Sequence, residues 1–258
     1  MMNLEANEID IDFGEMEFDL AERWISSRFS QAVEEANKGI RTYRFDLAAH
    51  AIYEFTWDEY CDWYLELSKP VLSDEDASAE AKRGTRRTLV RVLESVLRLA
   101  HPMMPFITEE IWQRIAPLAG KTGDSIMLQA YPQPDATKQD SAVTADIEWL
   151  KGVIVAVRNI RGEMNISPAK KIPVLLRGKD AEDQRRMNDN RQFLSSLAKL
   201  ESLDWFEGDK APMSATQLVG DMEVLVPMAG LIDINLSPCR DHQLRTLVAQ
   251  GKTAIKER

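Results

Sequence analysis

The sequence predicts a mainly α-helical protein, with a helical bundle to about residue 165 and a small α/β subdomain after it. Apolar residues recur every three or four positions through the first part of the chain, and this period is typical of amphipathic helices. After Pro168 the pattern changes to short apolar runs bounded by Gly, Pro, Asn and Asp, which favours strands. The 258 residues are enough for one large domain or two smaller ones.

The first two predicted helices lie on either side of a short basic turn. The first begins after Asp19, a residue type that caps helices, and ends at the glycine within residues 37–40. Asp46 caps the second helix, which carries an aromatic-rich stretch and ends near residues 69–70, where a proline occurs. Residues 72–84 then form a solvated connection because they are small and charged.

Three more segments complete the predicted bundle. A third helix carries an apolar stripe from Leu89 to Ala100, and the prolines that follow end it. A short fourth helix starts at Thr108 or in the preceding turn. Residues 125–135 form a short extended segment that is ended by prolines. A fifth helix spans residues 141–162, with apolar residues at helical spacing.

The α/β subdomain contains four short apolar runs, each predicted to be a strand: "KKIPVLLRG", "SLDWFEG", "ATQLVG" and "MEVLVPMAGLID". A helix over residues 180–200 separates the first from the second. We therefore divide the chain into four parts: an acidic lead-in (1–17), a helical bundle (18–165), an α/β subdomain (166–233) and a polar tail (234–258).

The aromatic stretch "YEFTWDEYCDWYLE" holds six rings, although the chain has only 8 Phe, 6 Trp and 5 Tyr residues. On an α-helix the rings of Tyr53, Trp57, Tyr60 and Tyr64 form one stripe. Acidic residues follow at every fourth position, and no basic residue lies between residues 44 and 69. Because a base-stacking surface needs cations among its rings, we predict that this stripe is core rather than an RNA site.

Composition excludes several classes of function. The net charge is −10, so nucleic-acid binding requires a local basic patch. Neither cysteine and none of the three histidines has metal-ligand spacing, and no phosphate-binding loop motif occurs. No apolar run is long enough to span a membrane, and the first residues do not resemble a signal peptide. We expect a cytoplasmic protein without a catalytic site of its own.

Three basic clusters stand out against the acidic average, and for each the alternative is a solvated or salt-bridged face. The first cluster is favoured as an RNA site because "KGIRTYRF" combines cations and rings in a turn, which unstacked loop bases require. For the second, pairing with acids on neighbouring helices stays open. The clusters are Arg23, Arg28, Lys38, Arg41 and Arg44; Lys82, Arg83, Arg86, Arg87 and Arg91; and Arg158, Arg161, Lys170 and Lys171.

Several longer blocks resemble the C-terminal part of bacterial valyl-tRNA synthetases. The blocks occur in order over roughly residues 15–233, and those containing "CDWYLE" and "VRNIRGEMNISP" look more specifically valyl than the rest. The blocks are "DLAERWISSRF", "YRFDLAAHAIYEFTWDEYCDWYLELSKPVL", "RLAHPMMPFITEEIWQRI", "SIMLQAYP", "VIVAVRNIRGEMNISPAKKIPVLLRG" and "VLVPMAGLID".

The resemblance implies a helical-bundle anticodon-binding domain of the class Ia synthetases, followed by a small α/β region. In that family a catalytic domain precedes the bundle and carries HIGH and KMSKS motifs, neither of which occurs here. The resemblance thus implies a fragment that binds tRNA but does not activate valine. It has no cofactor, because ATP is used by the absent catalytic domain. In the family a coiled-coil arm follows residue 233, whereas here a polar tail with a Ser-Pro pair at residues 237–238 is the start of that arm or a replacement for it.

The implied partners are the anticodon stem-loop of valine tRNA and the catalytic and editing domains of the parent enzyme, for a monomer that binds no DNA. In this interpretation arginines contact phosphates or base edges, Tyr43 or Phe45 stacks on a base, and Arg158 and Arg161 hold the stem backbone. A helical protein-interaction module without RNA binding is the alternative. The predicted tRNA-binding residues are Arg23, Arg28, Arg41, Tyr43, Arg44, Phe45, Arg158 and Arg161.

Overall fold

A computed structural model describes residues 14–178, 180–208 and 212–228 of the chain. It confirms the mainly α fold with a small α/β region. The bundle helices are α1 (Leu20–Arg41), α2 (Phe45–Glu54), a π-helix (Phe55–Tyr64), α3 (Leu65–Ser73), α4 (Ala79–Ala100), α5 (Pro105–Ile115) and α6 (Ser141–Glu163). The predicted tail and residues 1–13 of the lead-in lie outside the described residues.

Helix α1 begins where the sequence predicts but does not end at its glycine. Asp19 is the N-cap, and its backbone N–H donates to Glu22 Oε2 at 3.2 Å. The helix continues through Gly39, because this glycine serves packing instead of termination. A Cβ at Gly39 would lie 2.8 Å from the backbone nitrogen of Ala48. The missing side chain therefore lets α2 fold back closely against α1.

The aromatic stretch is a π-helix, so the predicted α-helical stripe is wrong for two of its four rings. Tyr60 and Tyr64 are buried as expected, but Tyr53 and Trp57 are 60% and 53% exposed. Hydrogen bonds of the i→i+5 type put more residues in each turn. This register brings Phe55, five positions before Tyr60, into the core in place of Trp57.

Three further boundaries differ from the sequence predictions. Helix α3 continues to Ser73 with Pro70 inside it. Ser78 caps α4 by accepting a hydrogen bond from the N–H of Ala81, so the connection spans only residues 74–78. Residues 125–135 include no strand. Instead, the side chains of Ser125 and Asp135 each accept a hydrogen bond from the backbone N–H group two residues later. These bonds start 3₁₀ turns at Ile126–Leu128 and Ala136–Lys138.

The four predicted strands form one sheet in the order β2-β1-β4-β3. Strands β1 and β2 are parallel, and the other two pairings are antiparallel. The helix predicted over residues 180–200 is broken at Asn190. The sheet lies against α6, where a Cβ at Gly152 would meet Val219 Cγ1 at 2.9 Å. The elements are β1 (Ile172–Arg177), α7 (Ala181–Asp189), α8 (Arg191–Leu197), β2 (Leu200–Trp205), β3 (Ser214–Val219) and β4 (Met222–Pro227).

The end of the acidic lead-in, residues 14–17, lies along the start of α4. The Glu17 N–H donates to the Glu80 carbonyl at 3.2 Å, and the Arg83 guanidinium donates to the Glu15 carbonyl at 3.0 Å. Gly84 makes this contact possible, since a Cβ there would lie 1.9 Å from the Glu17 carbonyl oxygen. Backbone contacts thus fix where the chain enters the bundle.

Candidate nucleic-acid interface

Helix α1 ends in a Schellman motif that leads directly into α2. The N–H of Arg44 donates to the Gly39 carbonyl at 2.8 Å, and the N–H of Tyr43 donates to the Ile40 carbonyl at 3.1 Å. This motif places Tyr43 in the left-handed region, at φ 57°. Glycine is usual at that position, and another residue there costs about 1–2 kcal/mol. A tyrosine is thus held in a conformation that its own backbone disfavours.

The two rings of this α1–α2 turn (residues 41–45) are turned towards solvent. The Tyr43 side chain is 82% exposed and Phe45 is 56% exposed. Their centroids are 6.4 Å apart and their planes are perpendicular. An edge-to-face pair supports both rings while most of the Tyr43 surface stays open. The turn therefore provides a fixed aromatic surface at one end of the bundle.

Two arginines lie close to these rings in the sequence. Arg41 lies exposed in the last turn of α1. Arg44 donates two hydrogen bonds to Asp46, of 2.9 and 2.6 Å. The guanidinium holds the pKa of Asp46 down at about 2, so this carboxylate stays ionised at neutral pH. The pairing restrains the Arg44 side chain, which is still 57% exposed.

The structure places Arg23 and Arg28 away from this turn. Arg28 lies on α1, 13 residues before Arg41 at the end of that helix, which is about 20 Å at the helical rise per residue. It is half-buried, and its Nε donates to Glu59 at 2.7 Å, which raises the pKa of the guanidinium. Arg23 is exposed and donates to Asp140 at 2.6 Å, at the N-terminus of α6. Both therefore tie α1 to neighbouring elements.

Arg158 and Arg161 occupy opposite environments on α6. Arg158 is exposed, and its guanidinium lies 5.7 Å from the centroid of the Trp63 ring. Arg161 is only 7% exposed, and desolvation lowers the pKa of its guanidinium. It donates to four backbone carbonyls at 2.7 to 3.1 Å. The prediction that Arg161 holds the stem backbone does not fit this burial. The acceptors are Ser167, Lys170, Ala198 and Lys199.

Sequence reasoning missed two exposed surfaces. Tyr53 and Trp57 form a ring pair with centroids 6.5 Å apart on the outside of α2 and the π-helix. The exposed carboxylates of Glu54 and Asp58 lie beside them in the sequence, so this face remains unsuitable for phosphates. Phe106 and its neighbours at the start of α5 are also exposed. The α-helical period of the sequence does not distinguish these exposed rings from the rings that are buried in the core.

Other site types are not supported by the described part of the chain. In residues 14–178, 180–208 and 212–228, no three His, Cys, Asp or Glu side chains come together as possible ligands of a metal ion. Over the same residues, no helix combines the length and the apolar character that crossing a membrane requires. The α1–α2 turn is therefore the candidate site with the clearest chemistry.

Rings and guanidinium groups presented together at one end of a helical bundle are typical of a protein that binds unstacked RNA bases. The chain matches the family model of the anticodon-binding domain of tRNA ligase over residues 22–176, from α1 to the end of β1. The match covers more than half of the 258 residues, and the chain belongs to this family. Its partner is tRNA, and a protein-interaction module without RNA binding is not favoured.

Proposed function

We propose that this chain recognises the anticodon of valine tRNA through the α1–α2 turn and serves a valine–tRNA ligase. The observation that carries the proposal is Tyr43, which is held exposed in a disfavoured backbone conformation between Arg41 and Arg44. Residues in sparsely populated backbone conformations cluster at functional sites, so the conformation of Tyr43 motivates a functional hypothesis. The preference for valine is supported by the blocks that resemble valyl-tRNA synthetases.

The anticodon of every valine tRNA ends in A followed by C, because valine codons share their first two bases. In the proposed complex one of these bases leaves the loop and stacks on Tyr43 or Phe45, a contact worth about 1–3 kcal/mol. Arg44 donates to a base edge or a phosphate, and Arg41 contacts a phosphate. Arg44 pairs with Asp46 before the RNA arrives, so on binding it exchanges this exposed carboxylate for a group of the RNA.

The remaining predicted residues take more limited roles in this proposal. Arg158 is exposed and available to the stem backbone. Arg28 is left out, because RNA binding would have to break its pair with Glu59. Arg161 is left out because its donors are used inside the protein. Activation of valine with ATP belongs to the catalytic domain of the ligase, so anticodon binding by this chain needs no cofactor.

A fluorescence anisotropy titration at two salt concentrations tests the proposal. The ligands are a labelled valine anticodon stem-loop and the same stem-loop with the central A replaced by G. We expect the native loop to bind about tenfold more tightly, since a wrong base costs about 1–3 kcal/mol. Both affinities should fall with salt as phosphate contacts require.

A matched pair of variants locates the effect. Arg44→Ala should lower affinity for the native loop, whereas Arg114→Ala should leave it unchanged, because Arg114 is exposed on α5 and pairs only with Glu110 among the described residues. Equal binding of the two loops by the wild-type protein would contradict anticodon recognition. Equal affinities of the two variants would remove the α1–α2 turn from the site.

A further inference from the structure

The outside of α2 and the π-helix carries two rings that are exposed to solvent. Tyr53 is 60% exposed and Trp57 is 53% exposed. Their centroids lie 6.5 Å apart, and the ring planes are inclined by 51°. Tyrosine and tryptophan are enriched in protein interfaces and supply many of the residues that dominate binding energy. The ring pair therefore marks a surface that a partner can bury.

The π-helix sets a carboxylate one turn after each ring. Asp58 follows Tyr53 by five positions, Asp62 follows Trp57 by five, and five is the hydrogen-bonding period of a π-helix. In an α-helix each aspartate would lie about 140° around the axis from its ring. Both aspartates are exposed, as is Glu54 between the rings. These five residues form the outer face of the helix, and π-helical turns occur frequently at functional sites.

The outer face is negative, and its two aspartates are not paired with a cation. Residues 45–68 hold six carboxylates and no lysine or arginine. Four of the six lie beside a basic side chain, but Asp58 and Asp62 form no ion pair with any residue that the structure describes. The paired carboxylates are Asp46, Glu54, Glu59 and Glu66.

The side of the π-helix that faces α1 and α6 shows how such groups receive a cation. Arg28 pairs with Glu59. The Arg158 guanidinium lies 5.7 Å from the centroid of the Trp63 ring, and Lys151 Nζ lies 5.5 Å from the same centroid. These distances are typical of cation–π contacts. The outer face has the same chemistry, yet within the described part of the chain no cation lies over its rings.

We propose that the outer face binds an extended, arginine-rich segment of a partner protein. Arginine fits better than lysine, because a planar guanidinium stacks on a ring and donates two hydrogen bonds to a carboxylate. Alternate side chains of an extended segment lie on one side, about 6.6 Å apart, which matches the spacing of the rings. Two arginines separated by one residue thus reach both rings and both aspartates. The carboxylates repel phosphates, so the partner is not a nucleic acid.

The competing occupant is the chain's own sequence after residue 239, which is basic. We favour a separate partner because no two arginines in that sequence are separated by one residue, as the two rings require. Occupation by these residues is an outcome that the experiment detects. They are Arg240, Arg245, Lys252, Lys256 and Arg258.

The experiment measures binding of the full chain to a fluorescent peptide, Gly-Ser-Arg-Ser-Arg-Ser-Gly, by anisotropy. A second peptide has lysine in place of both arginines, and we expect it to bind at least fivefold more weakly. Trp57→Ala should weaken binding of the arginine peptide about tenfold, and so should Asp58→Asn combined with Asp62→Asn. Trp57→Ala should leave the affinity for the anticodon stem-loop unchanged, which separates this surface from the proposed function.

Two control variants match these changes outside the face. Phe106→Ala removes another exposed ring, and Glu163→Gln combined with Glu201→Gln removes two other exposed carboxylates. Circular dichroism melting checks that each variant is folded. Equal affinities for the two peptides, or equal losses in the control and face variants, would overturn the proposal in favour of general attraction to an acidic protein.

A full-length variant with glutamine at the five basic positions after residue 239 tests the competing occupant. We expect it to bind the arginine peptide as the wild type does. If it binds at least tenfold more tightly, the chain's own residues occupy the outer face, and the proposal of a separate partner is overturned. Absence of binding in both proteins would also overturn it.

Discussion

The exposed arginines of the α1–α2 turn and the buried Arg161 are all candidates by sequence, yet they lie in opposite environments. Arg44 pairs with Asp46, two residues away, and its side chain is exposed to solvent. Arg161 lies between α6 and the sheet, where its four acceptors come from two chain segments up to 38 residues away. The same side chain is exposed to solvent in one place and connects elements of the fold in the other.

This difference teaches that burial, together with the number of acceptors inside the fold, decides which arginine is available. A carboxylate on the surface exchanges its partner for a phosphate at little cost, because exposed ion pairs are weak. A buried guanidinium that satisfies four carbonyls cannot leave without stranding all of them. The predictions below separate the two roles, beginning with the largest expected effect.

Replacing Arg161 should damage the fold and spare recognition. Arg161→Met leaves four carbonyls without their donors, so we expect the free energy of unfolding to fall by about 3 kcal/mol. Denaturant unfolding measures this, with Arg158→Met as the exposed control on the same helix. The ratio of affinities for native and altered loops should not change. Normal stability with lost discrimination would reverse the roles assigned to the two regions.

Replacing Tyr43 should do the opposite. Tyr43→Gly and Tyr43→Ala should both weaken binding of the native loop by about 1–3 kcal/mol if the ring stacks on a base. They should differ in stability, because only glycine adopts φ 57° without strain. We expect the glycine variant to be more stable than the alanine variant by about 1 kcal/mol. Equal stabilities would mean that the turn relaxes and that Tyr43 is not held under strain.

Removing the charge of Asp46 should strengthen binding. Asp46→Asn frees Arg44 and removes a negative charge beside the RNA, so we expect affinity for the stem-loop to rise about threefold. Because the pKa of Asp46 is about 2, this gain should be constant from pH 5 to pH 8. The control is Glu54→Gln, which removes an exposed charge that pairs with His50. A loss of affinity would show that Asp46 positions Arg44 more than it repels the RNA.

The smallest expected effect is a pH dependence of stability that comes from Glu22. The pKa of this buried carboxyl is raised, whereas the pKa of Asp46 is lowered. Desolvation raises the folded-state pKa of Glu22 above its ordinary value of 4.5, so the folded state binds the proton more strongly. Its contribution to stability is fully present below the unfolded pKa and is lost as pH rises through the folded pKa. Relative to Glu22→Gln, the wild type should lose stability across this interval. An increase with pH in the stability of the wild type relative to Glu22→Gln would contradict this prediction.

Local signals in the sequence predicted much of the fold. Asp19 starts α1, the apolar period gives α4 and α6, and the four apolar runs are the four strands. The α1–α2 turn was predicted as a site because cations and rings alternate there. These features depend on residues close together in the chain, which is where propensity and capping act.

The missed features depend on distant residues. The π-helix places Phe55 rather than Trp57 in the core, and this choice is made by packing against partners such as Phe29. The burial of Arg161 requires carbonyls that the sheet brings into place. The left-handed Tyr43 is a third case, since a glycine-preferring position filled by another residue gives no signal in a single sequence.

The central claim is that a ring of the α1–α2 turn stacks on an anticodon base, and a double-mutant cycle tests it most directly. The cycle combines Tyr43→Ala, or Phe45→Ala, with a stem-loop whose central A is replaced by an abasic site, and anisotropy gives the four affinities in each case. We predict that the base contributes about 1–3 kcal/mol to the binding free energy only while its stacking ring is present. One of the two rings should therefore show a coupling energy of that size. Purely additive effects for both rings would contradict the account.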